Sequence, residues 1–101
     1  MKYLSLPQLV LEFNGIPRRE DIALAVAAAS TPSIQDRGRN KYDLIQTGEA
    51  LVNYYRGLAK RNMDKHMKRP REAVTQYLIN ANSYTRKADM VSTLLEEMKA
   101  T

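Results

Sequence analysis

The side chains with the clearest capacity for chemistry in this sequence are its cations, and their chemistry is the electrostatic binding of polyanions. Arg18 and Arg19 come first, immediately ahead of Glu20 and Asp21. Arginines in the opening residues of a helix can reach the major groove and pair with guanine O6 and N7. The same two residues can equally cap an ordinary helix, paired with Glu20, Asp21 or solvent. Arg37-Gly38-Arg39-Asn40-Lys41 is the second group. Long cations on a narrow loop can contact phosphates or a minor groove, or they can stand solvated. The third group is the run Arg56, Lys60, Arg61, Lys65, Lys68, Arg69 and Arg71, against Asp64 alone. That stretch carries +6 against a chain total of +5, so the rest of the chain sums to −1. At helical spacing these cations do not share one face. They make a generally positive surface whose phosphate contacts would be sequence-independent and salt-sensitive, or a solvated helix end. A membrane-surface helix is disfavoured, because aromatic anchors opposite the cations are few.

Chemistry of other kinds has little to work with. Without cysteine, disulfides, thiolate catalysis and cysteine-based metal sites are excluded. His66 is the single histidine, set between Lys65 and Met67, and no second His or Cys completes a zinc site. Gly38 belongs to no phosphate-cradling motif. Glu96 and Glu97 are adjacent and point to different helix faces, so they are not a paired acid and base. Glu20 and Asp21 fit first-turn helix charges. The expectation is a non-enzyme with no metal and no cofactor.

The elements that must position the cations follow from apolar spacing. Leu6, Leu9, Val10 and Phe13 fall at i, i+3, i+4 and i+7, one face of a short helix. Ser5 suits its cap, Pro7 its first turn, and Asn14-Gly15 its end. Ile16-Pro17 opens a second helix running through Ile22, Val26 and Ala29 to about Ser30-Thr31-Pro32. Helix, short turn and helix have the spacing of a helix-turn-helix. Residues 31–43 read as a loop or small hairpin with Gly38 near its tip. Leu44 to about Met67 reads as a helix with Leu51, Tyr55 and Leu58 inside, supported by Val52 and Ala59. Pro70 marks its break.

Val74, Tyr77, Ala81, Tyr84, Ala88, Val91, Leu95 and Met98 are spaced alternately three and four apart, an a/d seam widened by Leu78 and Leu94. Two uses of the seam stand open: packing on its own domain, or oligomerisation between chains. Asn80, Asn82 and Ser83 are poor helix formers, so the tail is either one helix or a hairpin of two. The domain reading is 1–67 for the helix-turn-helix part and 70–101 for the helical segment.

At 101 residues, one compact domain is expected. Such a chain buries only about two-thirds of its unfolded surface, so a partner copy would help it. Phe occurs once and Trp not at all, which leaves few large anchors. No apolar run approaches the roughly 20 residues that span a bilayer, and the first residues lack an apolar signal region. A cytoplasmic protein without a membrane partner is expected.

The order helix, turn, helix, basic loop and aromatic helix resembles the winged helix-turn-helix of the small terminase subunits of tailed phages, the lambda-like DNA packaging proteins. The residues that carry the likeness are Leu6-Pro7-Gln8-Leu9, Ile16-Pro17-Arg18-Arg19-Glu20-Asp21-Ile22, Arg37-Gly38-Arg39-Asn40-Lys41-Tyr42-Asp43-Leu44 and Glu49-Ala50-Leu51-Val52-Asn53-Tyr54-Tyr55-Arg56-Gly57. It covers about residues 5–61, and the region beyond Pro70 agrees only in kind. The second helix is richer in Ala than a typical recognition helix, and no segment for docking a large subunit stands out. The resemblance implies a mainly α protein: an N-terminal winged helix-turn-helix with a small basic wing, then an amphipathic helix or helical hairpin. It implies duplex DNA as partner, a homo-oligomer, and recruitment of a large ATPase and nuclease subunit. The expected DNA contacts are Arg18, Arg19, Arg37, Arg39, Lys41, Arg56, Lys60 and Arg61. Excisionases and MerR-like regulators share the winged fold, so a small winged-helix regulator stays open. So does a phage structural or adaptor protein that binds no DNA.

Overall fold

A computed structural model describes residues 2–68 and 74–100. Its elements run β1 (Tyr3–Leu4), α1 (Leu6–Glu12), α2 (Arg19–Ala28), β2 (Ser33–Asp36), β3 (Arg39–Asp43), α3 (Leu44–Lys68) and α4 (Val74–Ala100). The protein is mainly helical, with one antiparallel sheet in the order β1-β3-β2. Arg69, Pro70 and Arg71 lie outside the described residues, as does the side chain of Val74.

The two short helices are bounded by local hydrogen bonds. Gln8 Oε1 accepts from both the Ser5 N–H, at 3.0 Å, and the Ser5 hydroxyl, at 3.1 Å. This is the reciprocal logic of a capping box. At the other end Asn14 turns left-handed at φ 56° and Gly15 at φ 71°. The Asn14 N–H then reaches the Leu11 carbonyl and the Gly15 N–H the Val10 carbonyl. That pair of bonds is a Schellman closure. Helix α2 ends the same way: Ser30 adopts φ 51°, the Ser30 N–H meets the Ala27 carbonyl, and the Thr31 N–H meets the Val26 carbonyl. Helix α2 begins at Arg19, two residues beyond the Ile16-Pro17 opening read from sequence. Pro17 is instead buried ahead of the cap at Arg18.

Helix α3 starts directly at the end of β3. The Asp43 carboxylate accepts from the Gln46 N–H at 3.0 Å, capping it. Strand β1 pairs Tyr3 with Asp43 and Leu4 with Tyr42, and the Leu44 N–H bonds the Lys2 carbonyl. Two residues are too few to carry an alternation pattern, so this strand left no mark in the sequence.

The core gathers Leu9 of α1 and Phe13 at its C-cap, Ile22, Ala25 and Val26 of α2, Leu51, Val52 and Tyr55 of α3, and Ala88 and Val91 of α4. Helix α4 therefore shares one core with the N-terminal elements. It is a single helix of 27 residues, continuous through Asn80, Asn82 and Ser83. Its small residues let it lie close on α3. Gly48 matters for the same reason: a Cβ there would come within 2.7 Å of Leu95 Cδ1 and 3.2 Å of the Phe13 ring. Three helices converge where that side chain is missing.

The molecule is elongated, 52 × 29 × 19 Å, with a radius of gyration of 15.0 Å. A compact 100-residue domain has about 13 Å. The excess comes from the α3–α4 pair, since a 25-residue helix is about 37 Å long. Among the described residues no helix is long and apolar enough to cross a membrane.

One core atom is poorly served. Thr47 is wholly buried, yet its hydroxyl has no hydrogen-bond partner. A buried unpaired hydroxyl costs roughly 1–3 kcal/mol, and valine has the same shape without it. Thr47→Val is expected to stabilise the protein by about 1 kcal/mol, read as a higher urea midpoint with an unchanged slope. A lower midpoint would mean that the hydroxyl is satisfied in solution.

Candidate nucleic-acid interface

The start of α2 is held by one carboxylate. Asp21 Oδ2 accepts from the Arg18 N–H at 3.2 Å and from the Tyr55 hydroxyl at 2.8 Å. Tyr55 lies on α3 and is wholly buried. Asp21 thus closes the helix N-terminus, as an acidic first-turn residue should, and pins that end of α2 to α3. The side chains of Arg18 and Arg19 are left exposed at this fixed end. Burial and the Asp21 bond push the Tyr55 phenol far above the ordinary tyrosine range. Burial also raises the neighbouring Tyr54 phenol, as does the Asp21 charge, while Arg61 and Arg18 pull it down.

The second group sits on the β2–β3 hairpin. Asp36 pairs with Arg39 across it, leaving a two-residue loop, Arg37-Gly38. Both loop residues are left-handed, at φ 53° and 78°. That is the type I′ geometry that suits a twisted hairpin, and its first position normally takes Asn, Asp or Gly. Arginine there carries a backbone cost of about 1 kcal/mol, and its side chain stands at the tip. Arg37 and Arg39 are exposed. Lys41 is half-buried and paired with Asp36 at 2.8 Å, so part of its charge is already answered.

Two clefts join these groups. One, of about 620 Å³, is lined by Arg37, Arg39, Lys41 and Asp36 with Ser5, Pro7 and Gln8. The other, of about 500 Å³, is lined by Arg19, Arg39, Asn40 and Tyr42 with Ser5, Leu6 and Pro7. Arg39 borders both. Arg19 from α2 and Arg39 from the hairpin therefore face one opening, with the start of α1 as its floor. Ser5, Pro7 and Asp36 were absent from the sequence-based set because nothing in their local pattern marks them for binding.

Arg56, Lys60 and Arg61 are not part of this opening. All three are exposed on α3. Arg61 borders a separate cleft of about 360 Å³ with Tyr54, Ala25 and Ala28. The cations further along, Lys65 and Lys68, lie towards the far end of α3. The basic run is thus spread along the helix and away from the hairpin.

The a/d seam of α4 faces α3 of the same chain. Ala81, Ala88, Val91 and Leu95 are buried, and Tyr84 and Met98 pack against the core. Tyr84 stacks on Tyr55 with ring centroids 6.2 Å apart. Lys87 Nζ lies over both rings, and Lys65 Nζ lies over Tyr77. Among the described residues no free apolar stripe is left along these positions.

Among the described residues no group of three or more His, Cys, Asp or Glu is placed to hold a metal ion. Compared with known proteins, the chain matches no family model, no curated protein and no solved structure.

The raised Tyr55 phenol has a pH consequence. The fold holds Tyr55 protonated, so its contribution is complete below pH 10, the ordinary tyrosine value, and is lost as pH rises above it. Stability is expected to fall above pH 10 by up to about 1.4 kcal/mol per pH unit from this group alone. Urea midpoints measured between pH 9 and 11 should fall less steeply for Tyr55→Phe than for the native chain. Parallel curves would remove Tyr55 as the cause.

Proposed function

We propose that this chain is a non-catalytic, duplex-DNA-binding protein whose α1, α2 and β2–β3 hairpin act as a winged helix-turn-helix. The observation that carries this reading is the opening shared by Arg19 and Arg39, with Arg18 and Arg37 exposed beside it. Helix start and hairpin tip are the two places from which such a domain meets a duplex. A cation kept at a strained left-handed turn adds weight, because a strained backbone persists where something compensates for it. Arg56, Lys60 and Arg61 then serve as secondary, salt-sensitive phosphate contacts.

Within this class, the likeness of residues 5–61 to small terminase subunits favours a role in marking viral DNA for packaging. The protein would work as a homo-oligomer in the host cytoplasm and recruit a large ATPase and nuclease subunit. Assembly through the a/d seam would require α4 to leave α3, so copies would have to meet on another surface. The internal seam favours a second reading, a small winged-helix regulator or excisionase acting as monomer or dimer.

Light scattering with a generic duplex at low and moderate salt tests both. A multimer that binds at low salt and releases at moderate salt supports the packaging role, and a DNA-binding monomer or dimer the regulator. A protein that ignores duplex at both salts would be an adaptor, and the proposal would fail. Arg19→Ala and Arg39→Ala are each expected to weaken binding and to reduce the slope of log K against log salt by about 0.9 per lost phosphate contact. Unchanged slopes would remove the shared opening from the interface.

A further inference from the structure

The outer face of α2 is the least expected surface near the candidate interface. Ile22, Ala25 and Val26 point into the core. The opposite side, at helical spacing, presents Glu20, Ala23, Leu24 and Ala27, all exposed. Leu24 is 54% exposed, a large apolar side chain on a helix that could have placed any polar residue there. Beyond Glu20 this face has no side chain able to hydrogen-bond a base. Its surroundings are cationic: Arg18 and Arg19 at one end of the helix, Arg39 across the cleft from Arg19, and Arg61 beside Ala25 and Ala28.

An apolar strip between cations fits one feature of a duplex. The cations match the two phosphate backbones, and the strip meets the groove between them. In the major groove the apolar element is the C5 methyl of thymine, which alanine and other small apolar groups contact. Glu20 agrees with this placement. Over base edges its carboxylate can accept a hydrogen bond from a base amine, whereas phosphates would repel it.

We propose that α2 reads thymine methyl groups in the major groove through Leu24, Ala23 and Ala27, so that A·T-rich duplex is preferred with Leu24 as the main specificity residue. This rests on the duplex-binding reading and deepens it. Recognition is then steric and apolar, with the arginines supplying affinity that does not depend on sequence.

The test uses the full chain and a duplex selected by it from a randomised pool, prepared once with thymidine and once with deoxyuridine throughout. Burying one methyl is worth about a fourfold change in affinity, so the uridine duplex is expected to bind at least fourfold more weakly. Leu24→Ala, at a surface position, should keep the native urea midpoint and shrink that ratio towards one. Equal binding of both duplexes by the native chain would overturn the inference and leave the duplex-binding reading standing. Failure to bind any duplex at low salt would overturn both. A concentration-dependent dimer abolished by Leu24→Ala, without discrimination between the duplexes, would assign the face to a second copy and likewise overturn the proposal.

Discussion

A tyrosine in the middle of a helical core is tolerated only where its hydroxyl finds a partner, and here the partner decides how three helices meet. The Tyr55 ring stacks on Tyr84 of α4, and its hydroxyl bonds Asp21 of α2. Asp21 in turn closes the N-terminus of its own helix. One side chain therefore fixes α2 and α4 against α3, and through Asp21 it fixes where the exposed arginines begin. In a chain with one phenylalanine and no tryptophan, few other side chains are large enough for this. Gly48 complements it: the tyrosine joins helices by what it reaches, the glycine by what it leaves open.

Much of the architecture was legible because it is locally encoded. Ser5, Leu6, Leu9, Val10 and Phe13 specify α1 through capping and period, and Asn14-Gly15 ends it with a left-handed turn and its closing hydrogen bonds. Gly38 marked the hairpin tip, and Leu51, Tyr55 and Leu58 gave the inner face of α3. What escaped was non-local. Strand β1 exists because β3, some 40 residues away, offers it an edge. The direction of the α4 seam was undecidable from spacing, since an a/d pattern packs equally well on its own chain or a neighbour's. The small residues Ala81 and Ala88, both buried, hint at close intramolecular approach only once the pairing is known.

The cationic groups were legible as types and not as an arrangement. Arg18-Arg19 and Arg37-Gly38-Arg39 stand out in sequence, yet the meeting of Arg19 with Arg39 across one cleft depends on the hairpin folding back over the start of α1. Lys41 looked like a free cation, but Asp36, diagonal to it on the neighbouring strand, takes it up. The run beginning at Arg56 carries most of the charge, and its described cations, Arg56 to Lys68, line neither cleft. Density of charge along the chain proved a poor guide to its convergence in space, because α3 distributes its cations around and along a cylinder.

The turn at Arg37 and Gly38 carries a cost in durability. Replacing a left-handed arginine with asparagine or glycine relaxes the backbone. At this loop the same edit would remove a cation from the most prominent point of the hairpin. Position 37 cannot be improved in both respects by any natural amino acid, since the residues that suit the turn are short and uncharged or acidic. Variants of this protein selected for robustness and variants selected for charge at the tip would part company at this residue.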